Sequence, residues 1–447
     1  MKFALLGLML AGSVFASNDL THMPKSFNTA KGKAVFVDFS EATYEITYDI
    51  AKSLSSVKAR LMFNAPEAGL PIFDSVTAPS SINLDGVAVN ATETPTPSNE
   101  TTLRVIDTPI AAGAHVLSIE LPLTTLVDYK DGGVKSAFWT SDLDSREFLE
   151  RYMPANFEFD QVKMTFLVKF IGGKTKQVIY TNGVQTAVDA NTIKITYPHY
   201  YTASSIFFHT VPQGSMSELR FSLKSIDGRE IPAVVYFGKS SWGTSLEKLK
   251  NKTAEVFHEL ESDYGAFPHP TITVYQAGMG GMEYCGATMT DFSALGHELF
   301  HSYFARGVMP ANGNSGWLDE ALASWRDGGY SSLTSLDGSS GMSSHPYYTR
   351  ITDQAAYSFG KRFMGYLDGK TQSKGGLKPF MRYMIEKRVF APLFVEEFIQ
   401  EMGTFYGMSF EADFKRYTYS SRKSSLDKGP MNHVHRKMSV KELAKFL

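Results

Sequence analysis

Ala294-Leu-Gly-His-Glu-Leu-Phe-His-Ser-Tyr-Phe304 sets two histidines four residues apart, with a glutamate directly after the first. On a helix, positions i and i+4 lie on one face, so His297 and His301 can reach a single metal ion. Glu298 then stands beside that metal rather than on it, where its carboxylate can take a proton from water. Zinc lowers the pKa of a bound water from about 15.7 towards about 7, so this pattern puts a hydroxide source next to a base. A catalytic zinc needs a third protein ligand and keeps one position open. Trp317-Leu-Asp-Glu-Ala-Leu-Ala-Ser-Trp325 offers Glu320, eighteen residues (302–319) after His301. Its Leu318, Ala321, Leu322 and Trp325 have helical spacing, so this segment can run beside the first helix. The expected centre is one zinc per chain, held by His297, His301 and Glu320.

Upstream, Pro270-Thr-Ile-Thr-Val-Tyr275 reads as a strand and leads into Gly278-Met-Gly-Gly-Met-Glu-Tyr-Cys285. Glycines at 280 and 281 let backbone approach a substrate closely, which makes Gly280, Gly281, Met282 and Glu283 a candidate substrate-binding stretch. Glu283 is either a fixed negative charge facing that substrate or the exposed end of a glycine turn. Cys285 is the only cysteine, so no intramolecular disulfide can form. A lone cysteine without a partner histidine motif is a small buried hydrophobe rather than a nucleophile. His433 and His435 belong to a polar tail, and Asp142 and Asp144 to a solvated turn.

Further out, Thr244 to Tyr264 has helical spacing and stops near Gly265, while Leu219 to Phe237 reads as two strands joined at Asp227-Gly228. A Gly/Ser-rich loop runs from Asp327 to Ser344, and helical patterns resume near Asp353 and continue towards Leu447. From about residue 30 to 210 the pattern changes to period-two alternation broken by Pro, Gly and Asn clusters. Ala34–Phe39, Thr43–Tyr48, Val57–Phe63, His115–Leu121 and Val162–Phe170 are the clearest strands, with Asn64–Pro66 and Thr94–Pro97 as loops. The expected fold class is α+β: an N-terminal antiparallel β domain over 17–210, then a thermolysin-like catalytic domain over 211–447 that is mainly α at its C-terminal end.

Residues 1–16 read as a signal peptide, with Lys2, an apolar run and small residues at cleavage spacing, Val14 and Ala16. Export to the periplasm or the extracellular space follows. No later apolar run reaches eighteen residues, which excludes stable membrane insertion by a helix. A net charge of −2 leaves no basic surface for nucleic acid. With 43% hydrophobic residues the core itself must supply stability.

The order strand, Gly-Gly-Met-Glu, His-Glu-x-x-His, eighteen residues, Trp-Leu-Asp-Glu resembles the aminopeptidase N and leukotriene hydrolase family of gluzincin zinc metallopeptidases. Asp263-Tyr-Gly-Ala-Phe-Pro-His-Pro270 looks like that family's approach to the strand before the motif. The resemblance implies that His297, His301 and Glu320 bind zinc, that Glu298 is the general base, and that Glu283 holds the free α-amino group of a peptide. It also implies a tyrosine that stabilises the oxyanion, and Tyr357 in Ala356-Tyr-Ser-Phe-Gly-Lys-Arg-Phe363 best matches its Tyr-x-x-Gly setting. Tyr366 and Tyr383 are the less favoured positions. Three departures stand out: Tyr284 where the family has Asn, a shortened link from Glu283 to His297, and no length for the family's large helical C-terminal domain. The resulting expectation is a zinc aminopeptidase acting on peptides. An endopeptidase on the same scaffold and a catalytically weak peptide-binding protein are the alternatives.

Overall fold

The computed structural model describes residues 22–99, 101–139, 148–238, 244–276, 281–311, 313–348 and 352–419. The signal-peptide reading and Asp142, Asp144, Gly280, His433 and His435 lie outside the described residues.

The N-terminal half is built from three sheets. The largest has eight strands, and its centre is the pairing of Asp38–Asp49 with Leu54–Ala65. In Leu54–Ala65, Val57, Ala59, Leu61, Phe63 and Ala65 are buried while Lys58, Arg60, Met62 and Asn64 face out, so alternation in the sequence becomes a one-sided apolar face. The pairing register shifts between Phe39 and Glu41, a bulge that moves the buried set from Phe39 to Ala42, Tyr44, Ile46 and Tyr48.

The sheets are mixed rather than purely antiparallel. Lys163–Ile171 runs parallel to Asp38–Asp49, from Lys163 opposite Glu41 to Ile171 opposite Asp49, and Ala34 and Val35 pair parallel with Leu70 and Pro71. Side-chain alternation is the same in both directions, so the local pattern carries no sign of strand polarity, and a parallel partner lies far away in sequence. The run Ala34–Phe39 also divides, Gly32–Val35 joining one sheet and Asp38–Asp49 another. Thr94 and Pro95 end a strand, Ala91–Pro95, at the edge of its sheet, where a missing N–H is tolerated.

Beyond Phe208–Pro212 the chain enters a five-stranded sheet in the order Met216–Lys224, Glu230–Gly238, Ile272–Gln276, Ala287–Met289, Met282–Tyr284. Apart from the largely exposed edge strand Met216–Lys224, both faces of this sheet are covered. Ile231, Ala233, Val235, Ile272 and Val274 pack on helices, whereas Val234, Tyr236 and Tyr275 join the core of the N-terminal sheets. Among the described residues, seven helices follow or flank it: α1 (Leu246–Tyr264), α2 (Leu295–Phe300), α3 (Leu318–Asp327), α4 (Phe359–Thr371), α5 (Lys378–Arg388), α6 (Val395–Tyr406) and α7 (Glu411–Tyr417). Ser245 caps α1 by accepting from the Lys248 N–H, and Gly265 at φ 99° ends it where the sequence signals a stop. Among the described residues, no helix is long and apolar enough to cross a membrane.

Helix α4 crosses α3 at very short range. A Cβ added at Gly360 would lie 2.8 Å from the Cβ of Ala321, the residue after Glu320. Gly360 therefore sets how near α4, and the turn before it, comes to the helix that carries the candidate third ligand. Substituting Gly360→Val is expected to lower unfolding free energy by about 1–3 kcal/mol, the range for overpacking a tight contact. Chemical denaturation of both proteins checks this, and equal stability would mean that the contact yields freely.

Candidate active site

Asp291 prepares α2 by accepting from the backbone N–H groups of Ser293 and Ala294 at 2.7 and 2.9 Å. The helix itself is short: it closes at Phe300, and His301 is its C-terminal cap at φ −62°, ψ −16°. The α-region geometry still extends through His301, so the i, i+4 relation survives and the ring centroids of His297 and His301 lie 4.9 Å apart. A tight reversal follows, in which the Arg306 N–H donates to the His301 carbonyl at 2.9 Å and the Val308 N–H to that of Tyr303 at 2.7 Å. Ala305 takes φ 134°, and a Cβ at Gly307 would lie 2.5 Å from the Tyr303 carbonyl oxygen, so only glycine fits there.

Helix α3 brings Glu320 onto the two imidazoles. Its Oε2 lies 3.0 Å from His297 Nε2 and 3.6 Å from His301 Nε2, and the three ligating atoms fall within 4.8 Å of one another. All three residues are buried. The opposite ring nitrogens are already engaged. His301 Nδ1 lies 3.0 Å from the Phe304 carbonyl, which can only accept, so the proton of the neutral ring sits on Nδ1. His297 Nδ1 lies 2.6 Å from Asp327 Oδ2. With both Nδ1 positions engaged, the two Nε2 atoms and the Glu320 carboxylate oxygen converge on one point that favours positive charge, either a proton on His297 Nε2 shared with Glu320 at 3.0 Å or a metal ion held by all three. The charges agree: although burial opposes it, the contacts with Asp327 and Glu320 push the His297 imidazole up to about 10. The donor set of two nitrogens and one carboxylate oxygen fits zinc.

Asp327 escaped the sequence reading, yet its position carried a signal: it stands seven residues after Glu320, two turns along the same helix face. Arg326 holds it, bonding Asp327 Oδ1 at 3.1 Å and the Glu259 carboxylate of α1 at 3.0 and 2.8 Å. Gly296 makes room for that guanidinium, since a Cβ there would lie 2.8 Å from its Nη1.

Glu298 is buried next to this centre, and burial pushes its carboxyl up to about 8 against the pull of the two histidines. Gly281 lies directly over it: a Cβ there would come within 1.9 Å of Glu298 Oε1. Strand alternation then orients its neighbours. Gly281 and Glu283 share the face towards α2, while Met282 and Tyr284 point into the core of the N-terminal sheets, Tyr284 against Phe207. Met282 can therefore meet a substrate only through its backbone. Glu283 is buried, not exposed, and its Oε1 accepts from Arg306 Nη2 at 2.7 Å. Nothing near residue 283 in the sequence announces Arg306. The N-terminal sheets hold the end of this strand: Asn182 Nδ2 and the Tyr201 hydroxyl both donate to the Cys285 carbonyl, each at 2.9 Å.

Tyr357 is not within a helix. It caps a one-turn 3-10 segment, Gln354–Ala356, that packs on both α3 and α4 just before α4 begins. Tyr366 donates to Asp413 at 2.8 Å and Tyr383 to Glu401 at 3.0 Å, so both hydroxyls serve helix packing. Cys285 is fully buried, which pushes its thiol up to about 11 and removes it as a nucleophile.

This arrangement of sheets, helices and clustered donors has the fold of the M1 zinc metallopeptidases, which bears out in fold the likeness read from the motifs. An M1 zinc metallopeptidase from Deinococcus radiodurans superposes with a TM-score of 0.60 at 16% identity, over 82% of this chain and 90% of that one. Yeast LTA4 hydrolase gives 0.63 at 14% identity, over 87% of this chain and 69% of its own. Legionella pneumophila aminopeptidase A gives 0.62 at 13% identity, over 89% of this chain and 51% of its own. No family model matches the sequence, and no curated protein matches it.

The Asp327 contact yields a measurable expectation. Asp327→Ala should leave the fold intact and weaken zinc affinity by about 10- to 100-fold, as removal of a carboxylate behind a metal-bound imidazole does. Competition against a chromophoric chelator reads this directly, and unchanged affinity would reduce Asp327 to a packing role.

Proposed function

We propose that the chain is an exported zinc-dependent peptidase acting on the N-terminal end of peptides, with one zinc per chain. The observation that carries this reading is the convergence of His297, His301 and Glu320 donors on one point with the buried Glu298 carboxylate beside it. Zinc, when bound by those three residues, supplies Lewis acidity and makes a water acidic enough to ionise near neutral pH. Glu298 accepts the proton of the attacking water and passes it to the departing amine. Burial, which raises this carboxyl, favours its protonated form once it has taken the proton and so suits it to act as the acid in the second half of the reaction. Gly281 leaves room for the Glu298 carboxylate packed against it. The Tyr357 hydroxyl donates to the carbonyl oxygen as negative charge develops there.

Several findings support the peptide as substrate. The folds that match include aminopeptidase A of L. pneumophila and the D. radiodurans metallopeptidase, one structure of which is an E323A mutant bound to a Tyr-Ser-Ala substrate. Gly280, Gly281, Met282 and Glu283 would form the wall along which the peptide's first residue lies. The 17–210 segment is read as a β domain supporting a catalytic domain over 211–447. A catalytically idle binding protein is disfavoured because the base, its burial and the glycine that accommodates it are all retained.

Glu298→Gln should keep zinc and fold while losing about 10²–10⁴-fold in turnover, since the nearly isosteric amide cannot accept a proton. Metal analysis together with assays on aminoacyl fluorophores and short peptides decides this, and an active variant would put the chemistry elsewhere. Tyr357→Phe should lower kcat far more than it alters KM, by about 10²–10³-fold if the hydroxyl acts as a full oxyanion donor. The same loss in Tyr366→Phe instead would reassign the role.

A further inference from the structure

Glu283 has a counter-charge already attached. The reversal after α2 returns Arg306 to the strand Met282–Tyr284, where its Nη2 bonds Glu283 Oε1 at 2.7 Å and its Nη1 bonds the Ser204 hydroxyl at 2.5 Å. Both members of the pair are buried, with side chains 5% and 2% exposed. The other oxygen, Glu283 Oε2, is buried and has no hydrogen-bond partner among the described residues. It belongs to the same strand face as Gly281, which lies on the Glu298 carboxylate. A buried carboxylate oxygen without a donor carries a desolvation penalty that an arriving N–H group removes.

We infer that Arg306 sets the substrate class of this site, by neutralising Glu283 so that Oε2 accepts an uncharged peptide N–H as well as a free ammonium. This rests on the peptidase reading and refines it: peptides with blocked N-termini, and bonds inside longer chains, become substrates alongside free N-termini. The reasoning is electrostatic. An unpaired buried carboxylate facing a neutral amide is strongly penalised, which is how a bare glutamate would reject a blocked peptide. A cation seated at Oε2 stands roughly twice as far from the guanidinium as from the carboxylate, so by Coulomb's law about half of its attraction is cancelled. A neutral N–H loses little by that cancellation, and the gap between the two kinds of peptide narrows. Arg306 acts through Glu283 and is a positioning residue. The Ser204 bond and the reversal at Ala305–Gly307 fix it from both sides.

The experiment compares an unblocked tripeptide with its N-acetylated twin in the zinc-loaded enzyme. In wild type the two kcat/KM values should lie within about tenfold. Arg306→Gln should widen the ratio by at least about tenfold in favour of the free amine, and Arg306→Lys, which keeps the charge, should restore it towards wild type. Discrimination beyond about 10²-fold in wild type, or a ratio unmoved by Arg306→Gln, overturns the inference and leaves the peptidase reading standing. The wild-type ratio decides the matter even if Arg306→Gln does not fold. Calorimetric binding of both peptides to Glu298→Gln separates the two levels. Comparable binding without cleavage by wild type would keep the recognition argument and sink the peptidase.

Discussion

Two ring nitrogens and a carboxylate oxygen meet inside the protein at a point that favours positive charge, and the rest of the C-terminal half depends on how they are held there. Each imidazole is locked from behind, His301 by the Phe304 carbonyl and His297 by Asp327, so neither can rotate its lone pair away. Asp327 is in turn gripped by Arg326, which reaches across to Glu259 on α1 and lies in the space left by Gly296. The result is a relay from α1 through α3 to α2 in which each charge holds the next. Such a site is preorganised for a dication, because the reorganisation that would otherwise accompany binding is already met by packing.

The N-terminal sheets contribute by holding one wall of the cleft in place. Asn182 and Tyr201 fix the Cys285 carbonyl, and Ser204 holds Arg306 against Glu283. The strand that covers Glu298 is thus clamped by residues far away in sequence. Alternation along that strand assigns its side chains to two different tasks. The odd positions, Gly281 and Glu283, look towards the centre, and the even ones, Met282 and Tyr284, anchor it in the core. Tyr284 therefore serves packing on the far side of the strand, against Phe207.

The clustering of His297, His301 and Glu320 was legible because periodicity brings the two histidines together, and the Leu318–Trp325 pattern marks a second helix carrying Glu320. The strands of the N-terminal half were legible as alternation, but the parallel pairing of Lys163–Ile171 with Asp38–Asp49 was not, since a side-chain period has no direction. Asp327 could have been found by counting two turns on from Glu320. Arg306 could not: its meeting with Glu283 depends on a reversal at Ala305–Gly307 and on where the strand lies, both products of tertiary structure. Tyr357 was chosen in the sequence for its spacing to Gly360, and that spacing has a physical basis. The glycine admits Ala321 and so draws the tyrosine's turn towards Glu320.

Inside its exposed edge strand Met216–Lys224, the five-stranded sheet is buried on both faces. Val234, Tyr236 and Tyr275 belong to one core and Val235, Ile272 and Val274 to the other, on alternate residues of the same strands. Neither half of the chain could be cut away without stripping one side of that sheet to bare aromatic and aliphatic groups. The two halves are in that sense a single thermodynamic body, and melting should sweep through both at once instead of in two steps. A lesion deep in the N-terminal sheets would then be felt as far away as the His297, His301 and Glu320 cluster.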